Sequence, residues 1–318
     1  MQTDVDRTSW LAWARTEAIV GSCPASHKSM LSGLRCYLSF AHGVLKKQGQ
    51  ELPPSLDDLL AYSLMFRCHR TFCNYFGYLR TGCVLAGVST SVFDDGAIRR
   101  GKTDINKRRK WQPRKKLFIQ HDVVCDMVLH AGNVVKDLVM LYLATYIFLL
   151  RLPSEALPMT KGGDGFRSGE QAVLWLEGDS LCLHLAKRKN KPEGSLLKRS
   201  CWCKGCRTTC PVHTLWEYFS NFPVGTKPFA RFTADFALRS LREILGSLGI
   251  PEAKLYRTHD LRRGHAKDIQ MKEATLAEFM AAGEWRSPAF LAYADENVLE
   301  QSAVMQAHLD DSSSEEEV

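Results

Sequence analysis

Two stretches near the C-terminus carry the strongest chemical signal in this 318-residue chain, Thr258–His265 (THDLRRGH) and Gly283–Tyr293 (GEWRSPAFLAY). In the first, His259 and Arg262 stand at a spacing that puts both side chains on one face of a helix. An Arg fork binds two phosphate oxygens at once, and a His can donate to a third. In the second, Tyr293 could attack such a phosphate and form a covalent ester. The two stretches together predict a phosphate-binding set followed by a nucleophile.

This arrangement resembles the C-terminal motifs of tyrosine recombinases, the phage-integrase-like enzymes that break and rejoin DNA through a 3′-phosphotyrosine link. The resemblance implies that His259, Arg262 and Tyr293 are catalytic. Trp285 stands where family members carry His or Trp, and its indole N–H can donate to a phosphate oxygen. The spacing from Trp285 to Tyr293 is closer to that of eukaryotic Crypton- or DIRS-type mobile elements than to that of many bacterial members. Tyr256, which precedes the His, is a weaker candidate for the nucleophile.

An arginine in the middle of the chain resembles a further member of the set. Arg151 directly follows an apolar run at the end of a predicted buried helix, where an Arg is awkward to bury unless an anion meets it. The resemblance implies that Arg151 is the first phosphate-binding Arg and that Glu155 helps to hold it. The acid follows the Arg by one residue more than is common in the family. A surface Arg that caps a helix C-terminus is the alternative.

A lysine beside a predicted hairpin is the candidate general acid. Residues 172–185 alternate in polarity around Gly178-Asp179, which predicts a β-hairpin. The family uses a Lys on such a turn to protonate the departing 5′ oxygen. Lys189, in the basic run after the strands, fits the family pattern best, and Lys187 and Lys191 are alternatives. Taken alone, any of these three resembles an ordinary solvated turn lysine.

The composition and the hydrophobic pattern predict a mainly α protein with a small β-sheet (α+β). With 45% apolar and 24% charged residues the chain can bury a real core. The charge pattern predicts a basic linker over residues 99–116 and an acidic disordered tail over 310–318. The resemblance implies a helical DNA-binding (core-binding-like) domain over 1–98 and a tyrosine recombinase catalytic domain over 117–309. By resemblance, the two lobes would close around duplex DNA as a clamp.

Charge predicts the partner. The net charge is +7 at pH 7 even with the acidic tail included, so the folded part is more basic still and favours double-stranded DNA. Residues 99–116 concentrate the positive charge, with Gly101 and Pro113 as expected helix breakers. They could follow a phosphate backbone, serve as a nuclear import signal, or only be a solvated connector. We expect a nuclear location, with neither secretion nor a membrane partner.

Helical periodicity predicts the elements of the second half. We expect two buried helices over residues 123–150. Further helices are predicted over 211–222, 233–248, 259–271, 275–282 and 296–307. The last is amphipathic and could dock into a neighbouring protomer, as the tetramers of the family would require, or pack on its own lobe.

A thiol-dense stretch is a candidate metal site. The chain has eleven cysteines, most of them placed singly, which indicates reduced thiols rather than a disulfide framework. If Pro211 is the first helical residue, Cys210 and His213 lie near one face of the first turn. Cys201 and Cys203, if extended, also project to one face. These four could enclose a structural zinc ion, and a loop of free cysteines is the alternative.

The resemblance implies a site-specific recombinase or integrase that uses neither ATP nor a catalytic metal. The arginines would neutralise the charge that metal ions neutralise at other phosphoryl-transfer sites. Two alternatives stay open. A type IB topoisomerase-like nickase would share the chemistry, and a domesticated, non-catalytic DNA-binding protein would suit the basic surface.

Overall fold

The computed structural model describes residues 9, 13, 14, 17, 27–49, 51–108, 115–130, 135–163, 172–188, 191, 193–201, 203, 210–272, 274–285, 291 and 293. The chain divides into two compact units, Met1–Arg114 and Lys115–Val318. The described residues are mostly helical and contain one four-stranded sheet, which confirms the predicted fold class. The predicted helix over residues 296–307 and the acidic tail lie outside the described residues.

The first unit is a helical bundle around an aromatic core. The helices that the structure describes over their whole length here are α1 (His27–Gly43), α2 (Leu56–Ser63), α3 (His69–Leu85) and α4 (Gly96–Arg108), with a 3-10 turn at Ser91–Asp94 before α4. The core rings pack edge to face or tilted against one another, with centroids about 5 Å apart, and they belong to Tyr37, Phe40, Tyr62, Phe66, Phe72, Phe76 and Phe93.

Helix α4 corrects the expectation that residues 99–116 are a linker. Ile98 and Ile105 are 1% and 5% exposed in the core of the first unit, so the segment folds as an amphipathic helix with a basic outer face. Gly101 does not break this helix, because the apolar face on either side of it is packed. Lys102 places its ammonium 4.2 Å from the centroid of the Phe76 ring. Residues 109–114 lie outside the described residues.

The second unit is built on a helix that is buried on every side. Its helices are α5 (His121–Leu129), α6 (Lys136–Ile147), α7 (Pro211–Ser220), α8 (Ala234–Ser247), α9 (His259–Met271) and α10 (Leu276–Gly283). Every residue of α6 from Leu138 to Ile147 is buried, since α5, α7 and α9 all pack against it. These bounds confirm the helices predicted between residues 123 and 282 to within a few residues.

The sheet of the second unit runs β1-β2-β3-β4. Its strands are β1 (Met159–Lys161), β2 (Ala172–Glu177), β3 (Ser180–Leu185) and β4 (Ser195–Ser200), with β1 parallel to β2 and the other pairs antiparallel. Glu177 pairs with Ser180 across Gly178-Asp179, which confirms the predicted hairpin. The sequence did not predict β1 or β4. The turn from β3 to β4 carries Arg188 and Lys191, which bridge each other through their backbones.

One glycine allows α9 to pack closely against the segment that precedes α5. The Ile119 N–H donates to the Asp260 carbonyl at 3.0 Å. A Cβ on Gly264 would lie 1.6 Å from the Ile119 carbonyl oxygen, so only glycine permits this approach. The contact fixes the helix that carries His259 and Arg262. In the part of the chain that the structure describes, every helix is too short or too polar to span a bilayer.

We expect Gly264→Ala to destabilise the protein by at least about 2 kcal/mol, because the added carbon must displace the backbone at Ile119. Gly246→Ala is the matched control: it lies exposed in α8, the nearest atom to an added Cβ is 4.0 Å away, and a gain of about 0.5–1 kcal/mol is expected. Urea unfolding of both variants measures the difference. Equal stabilities would contradict the packing at Gly264.

Candidate active site

The end of α6 presents Arg151 in a backbone turn shaped around a carboxylate. Residues Leu152–Ala156 form a π-type turn that begins directly after the arginine. Glu155, 2% exposed, accepts from the Arg151 backbone N–H at 2.8 Å and from its Nη1 at 2.9 Å. Glu155 therefore holds Arg151 through both its backbone and its side chain.

A second arginine, Arg188, joins Glu155 to Glu284. Arg188 is 5% exposed, and its Nε and Nη2 lie 3.4 and 3.3 Å from the two carboxylate oxygens of Glu155. Its Nη1 donates to Glu284 at 2.6 Å, and its Nη2 also approaches the Leu149 carbonyl at 3.3 Å. A buried Arg with this many partners is a fixed part of the site rather than a solvated turn residue.

The turn that carries Arg188 also brings a lysine to the site. Lys191 Nζ and Ser195 Oγ each donate to Glu284 at 2.6 Å. Burial alone would raise the pKa of Glu284, but the hydrogen bonds from Lys191, Ser195 and Arg188 hold it below its ordinary value. Among the lysines considered as the general acid, Lys187 is exposed and Lys189 lies outside the described residues.

Arg262, on α9, is buried with unused hydrogen-bonding capacity. It is 1% exposed, and its Nη2 donates to the Gly283 carbonyl at 3.0 Å. Its Nε and Nη1 have no hydrogen-bond partner. The pKa of Arg262 is lowered to about 10, chiefly by burial and also by the positive charge of Arg188, while Tyr293 acts in the opposite direction. Arg262 therefore stays charged at neutral pH. Such a group is costly unless an anion meets it.

Trp285 closes the site from the end of α10. Its ring is 4% exposed and stacks on Phe279 with centroids 4.9 Å apart. The indole Nε1 is buried without a hydrogen-bond partner. A Cβ on Gly283 would lie 2.4 Å from the indole, so glycine is required for the ring to fold back over the helix end. Trp285 is thus both a core residue and a source of an unused donor.

The phenol of Tyr293 lies against His259 and Arg262. The His259 Nε2 is 2.9 Å from the Tyr293 hydroxyl oxygen. The Arg262 guanidinium carbon lies 5.0 Å from the centroid of the Tyr293 ring. The centroids of the Trp285 and Tyr293 rings are also 5.0 Å apart. The four residues predicted from the two C-terminal stretches are therefore neighbours within one chain.

His259 is neutral at physiological pH. Burial, and after it the positive charges of Arg262, Arg263 and Arg151, together lower its pKa to about 4. A neutral imidazole has one nitrogen that accepts a hydrogen bond and one that donates. With the proton on Nδ1, the Nε2 atom can accept the hydroxyl proton of Tyr293.

These side chains enclose a small cationic cavity. It is lined by Arg151, Arg188, Lys191, Arg262, Gly283 and Glu284. The four cations of this lining face two carboxylates, those of Glu284 and of Glu155 behind it, which leaves a net charge of +2. With the unused donors of Arg262 and Trp285 beside it, the cavity can bind an anion such as a phosphate.

The sequence missed three residues of this network, Arg188, Ser195 and Glu284. Arg188 stands inside a run of basic residues and resembles a solvated one. Glu284 adopts a left-handed conformation (φ 51°) that is uncommon for a residue with a side chain, and nothing in the local sequence predicts it. Tyr256 packs against the main core of the unit, where burial raises its pKa.

The predicted zinc ligands also come together, in a cluster separate from the cavity lining. The ligand atoms of Cys201, Cys203, Cys210 and His213 all lie within 4.8 Å of one another.

Comparison with known proteins identifies the fold. No protein-family model matches the sequence, and a comparison with curated proteins gives no match either. Among solved structures, the chain is similar to the XerH site-specific recombinase bound to palindromic difH substrate in a post-cleavage complex, with a TM-score of 0.54 and 13% identity over 87% of this chain and 78% of that one. The pre-cleavage complex of XerH gives a TM-score of 0.50 at the same identity and the same coverage.

A third solved structure is the Tn1549 transposon integrase in complex with circular intermediate DNA, with a TM-score of 0.49 and 10% identity over 90% of this chain and 95% of that one. The similarity to XerH shows that the chain has the fold of the tyrosine recombinases.

Two buried histidines make stability depend on pH. His265 stacks on Tyr146, its Nδ1 donates to the Tyr146 carbonyl at 2.6 Å, and burial lowers its pKa to about 4, as for His259. The unfolded chain therefore binds more protons than the folded one between pH 6.5 and 4. Stability should fall as the pH drops through this window, by up to roughly 3 kcal/mol for each histidine.

Urea unfolding from pH 7 to pH 4 measures this loss. The double variant His259→Gln with His265→Asn keeps a polar nitrogen near each position but cannot take up a proton there. It should show a shallower dependence on pH than the wild type. Identical slopes would show that neither histidine is neutral in the folded protein.

Proposed function

We propose that this protein is a DNA strand-exchange enzyme that cleaves and rejoins DNA through a 3′-phosphotyrosine intermediate. The observation that carries the proposal is the contact of the Tyr293 hydroxyl with His259 Nε2 at 2.9 Å, beside a buried Arg262 with unused donors. A hydroxyl with a base on one side and an anion-binding group on the other is arranged for attack on phosphorus.

Binding of the scissile phosphate is assigned to the cationic cavity. Arg151 and Arg262 line it from two parts of the fold, and the free Nε and Nη1 of Arg262 can meet phosphate oxygens. The indole N–H of Trp285 offers another donor. These groups are held in place before substrate arrives, so little reorganisation is needed when charge develops.

Residues of this chain can supply both proton transfers that the cleavage step requires. Tyr293 attacks phosphorus while its phenolic proton passes to His259 Nε2, and the bond from phosphorus to the 5′ oxygen breaks. A lysine protonates the departing 5′ oxygen. The phosphotyrosine ester retains the energy of the broken bond, and a 5′ hydroxyl of a second strand reverses the step. For this reason the proposal requires no ATP.

The charge of the site matches the transition state. A phosphodiester carries one negative charge, and attack by a phenolate brings the reacting centre to two. The side chains around the cavity carry a net charge of +2. We infer that the arginines and the lysine supply the neutralisation that metal ions supply at other phosphoryl-transfer sites, and that no catalytic metal takes part.

The similarity to XerH, described as a recombinase bound to its difH substrate, supports double-stranded DNA as the partner. The relation to Crypton- or DIRS-type mobile elements, tetramer formation through the helix over residues 296–307, closure of the two units around DNA as a clamp and a nuclear location stay predictions.

Covalent trapping tests the nucleophile. Duplexes with a randomised segment and a nick lose the short fragment after cleavage, so the enzyme cannot rejoin the strand and stays attached. With wild-type protein in the presence of a chelator, we expect an adduct that survives denaturing electrophoresis, with the DNA on Tyr293 by mass spectrometry. Tyr293→Phe should abolish it, because phenylalanine has no oxygen to attack phosphorus.

Tyr256→Phe is the matched control and should leave the adduct unchanged, since Tyr256 packs in the main core of the unit. An adduct formed by Tyr293→Phe would reject the nucleophile. Tight DNA binding by the wild type without any adduct would favour the non-catalytic DNA-binding alternative. Relaxation of supercoiled plasmid without joined strands from two duplexes would favour the topoisomerase-like nickase.

Changing the leaving atom of the DNA substrate tests which lysine is the general acid. Lys191 lines the cavity with Arg151 and Arg262, which favours it over the exposed Lys187. Lys191→Ala should slow cleavage of ordinary DNA by about 10²- to 10⁴-fold. The rate should recover on DNA in which sulfur replaces the leaving 5′ oxygen, because a thiolate departs without a proton.

Lys187→Ala should have little effect on either substrate. If Lys189→Ala, rather than Lys191→Ala, shows the slow rate and the recovery with sulfur, the general acid is Lys189, as the family pattern implied.

A further inference from the structure

We propose that Cys201, Cys203, Cys210 and His213 bind one zinc ion that fastens β4 to the start of α7. Their ligand atoms already form a compact cluster. The Cys201 Sγ lies 3.1 Å from the Cys203 Sγ and 3.5 Å from the Cys210 Sγ. The His213 Nδ1 lies 3.5 Å from the Cys201 Sγ and 3.4 Å from the Cys203 Sγ.

These distances are close to those around a tetrahedral zinc ion. Zinc bonds of about 2.3 Å to sulfur and about 2.0 Å to nitrogen place two sulfurs about 3.8 Å apart and a sulfur and a nitrogen about 3.6 Å apart. The separation of Cys201 and Cys203 is well beyond the roughly 2.05 Å of a disulfide bond. The other three distances match a tetrahedral zinc ion to within about 0.3 Å, and the two sulfurs of Cys201 and Cys203 would move apart by about 0.7 Å when the ion binds.

The local structure explains why these four residues converge. Cys201 directly follows β4, and its N–H donates to the Asp179 carbonyl at 2.8 Å, which fixes the end of the strand. Cys210 is the N-cap of α7 with Pro211 as the first helical residue, as predicted, and His213 follows within the first turn. The Cys203 N–H lies 3.4 Å from the Cys201 Sγ, a contact that helps to orient the Cys201 sulfur toward the cluster.

The ligand set indicates a structural site for zinc. Three thiolates and one imidazole are soft donors, which suit zinc better than magnesium or calcium. Four protein ligands complete a tetrahedron and leave no position open for water or substrate, which is the arrangement of structural rather than catalytic zinc. Cys210 is buried in the main core of the unit, and Cys201 and Cys203 pack against it.

The site would hold the strand that supports the cationic cavity. β4 contributes Ser195, whose hydroxyl donates to Glu284, and Arg199, whose Nε donates to the Ile147 carbonyl at 2.9 Å. The turn before β4 carries Arg188 and Lys191. Zinc at the far end of β4 would therefore limit movement of the strand and of these side chains. The binding of the metal does not depend on the proposed recombinase chemistry.

The metal content of the full-length chain tests the site. Protein purified under reducing conditions without added metal should retain close to one zinc per chain after dialysis, measured by plasma mass spectrometry. Replacement by cobalt(II) should give the visible absorption bands of tetrahedral cobalt with thiolate ligands. Removal of zinc with a chelator should lower the thermal midpoint by at least about 5 °C, and added zinc should restore it. These measurements need no variant.

Two variants locate the metal. Cys203→Ser, which changes a partly exposed loop residue, should lower the zinc content to well below half and weaken the thiolate–cobalt absorption. Cys73→Ala is the matched control, because Cys73 also lies beside a histidine, with its Sγ 3.4 Å from His69 Nε2, and should keep one zinc. A folded wild-type chain that binds neither zinc nor cobalt, or a disulfide between Cys201 and Cys203 in freshly reduced protein, would overturn the proposal. So would an unchanged zinc content in Cys203→Ser.

Discussion

A buried guanidinium with unused donors is the constraint around which the second unit is arranged. Arg262 is 1% exposed, yet its Nε and Nη1 have no partner, and the desolvation of a charged group costs several kcal/mol unless an anion meets it. The neighbouring groups cover it without neutralising it. The Gly283 carbonyl accepts a hydrogen bond from the Arg262 Nη2. The ring centroids of Tyr293 and Trp285 lie 5.0 and 5.4 Å from the guanidinium carbon. The fold thus maintains a positive group whose remaining partner is expected to come from a ligand.

The backbone takes uncommon conformations where two helices end beside this group. Leu149, after α6, has φ 50°, and Glu284, after α10, has φ 51°. Left-handed residues with side chains are uncommon and cluster at functional sites. Here they lie just before Arg151 and Trp285 in the chain, and the carbonyl of Leu149 faces Arg188. The π-type turn after Arg151 also explains the spacing of its acid, because a wider turn brings the fourth residue, rather than the third, to face the arginine.

Features encoded locally could be predicted from the sequence, and features that depend on distant contacts could not. The spacing of His259 and Arg262 predicts a shared helix face, and the alternation of apolar and polar residues around Gly178-Asp179 predicts a hairpin. Both predictions rest on the repeat of a helix or a strand, which neighbouring residues reveal by themselves. The basic residues after 98 indicate a linker when only the sequence is considered, because their charge obscures the apolar face formed by the two buried isoleucines of α4. Arg188 and Glu284 are 96 residues apart, and only the folded chain joins them. The strand β4 was missed for the same reason, because it is defined by its pairing with β3.

The low pKa of His259 gives the proposed chemistry a dependence on its substrate. Burial comes first among its causes, but the positive charges of Arg262, Arg263 and Arg151 contribute as well. A phosphate bound between Arg151 and Arg262 would offset much of that charge, and the pKa of His259 would then rise toward its ordinary value. A base of higher pKa takes a phenolic proton more readily. On the proposed function, the pair of His259 and Tyr293 is therefore a weak nucleophile without DNA and a stronger one with it, which would limit attack by Tyr293 to the moment when a backbone phosphate is in place.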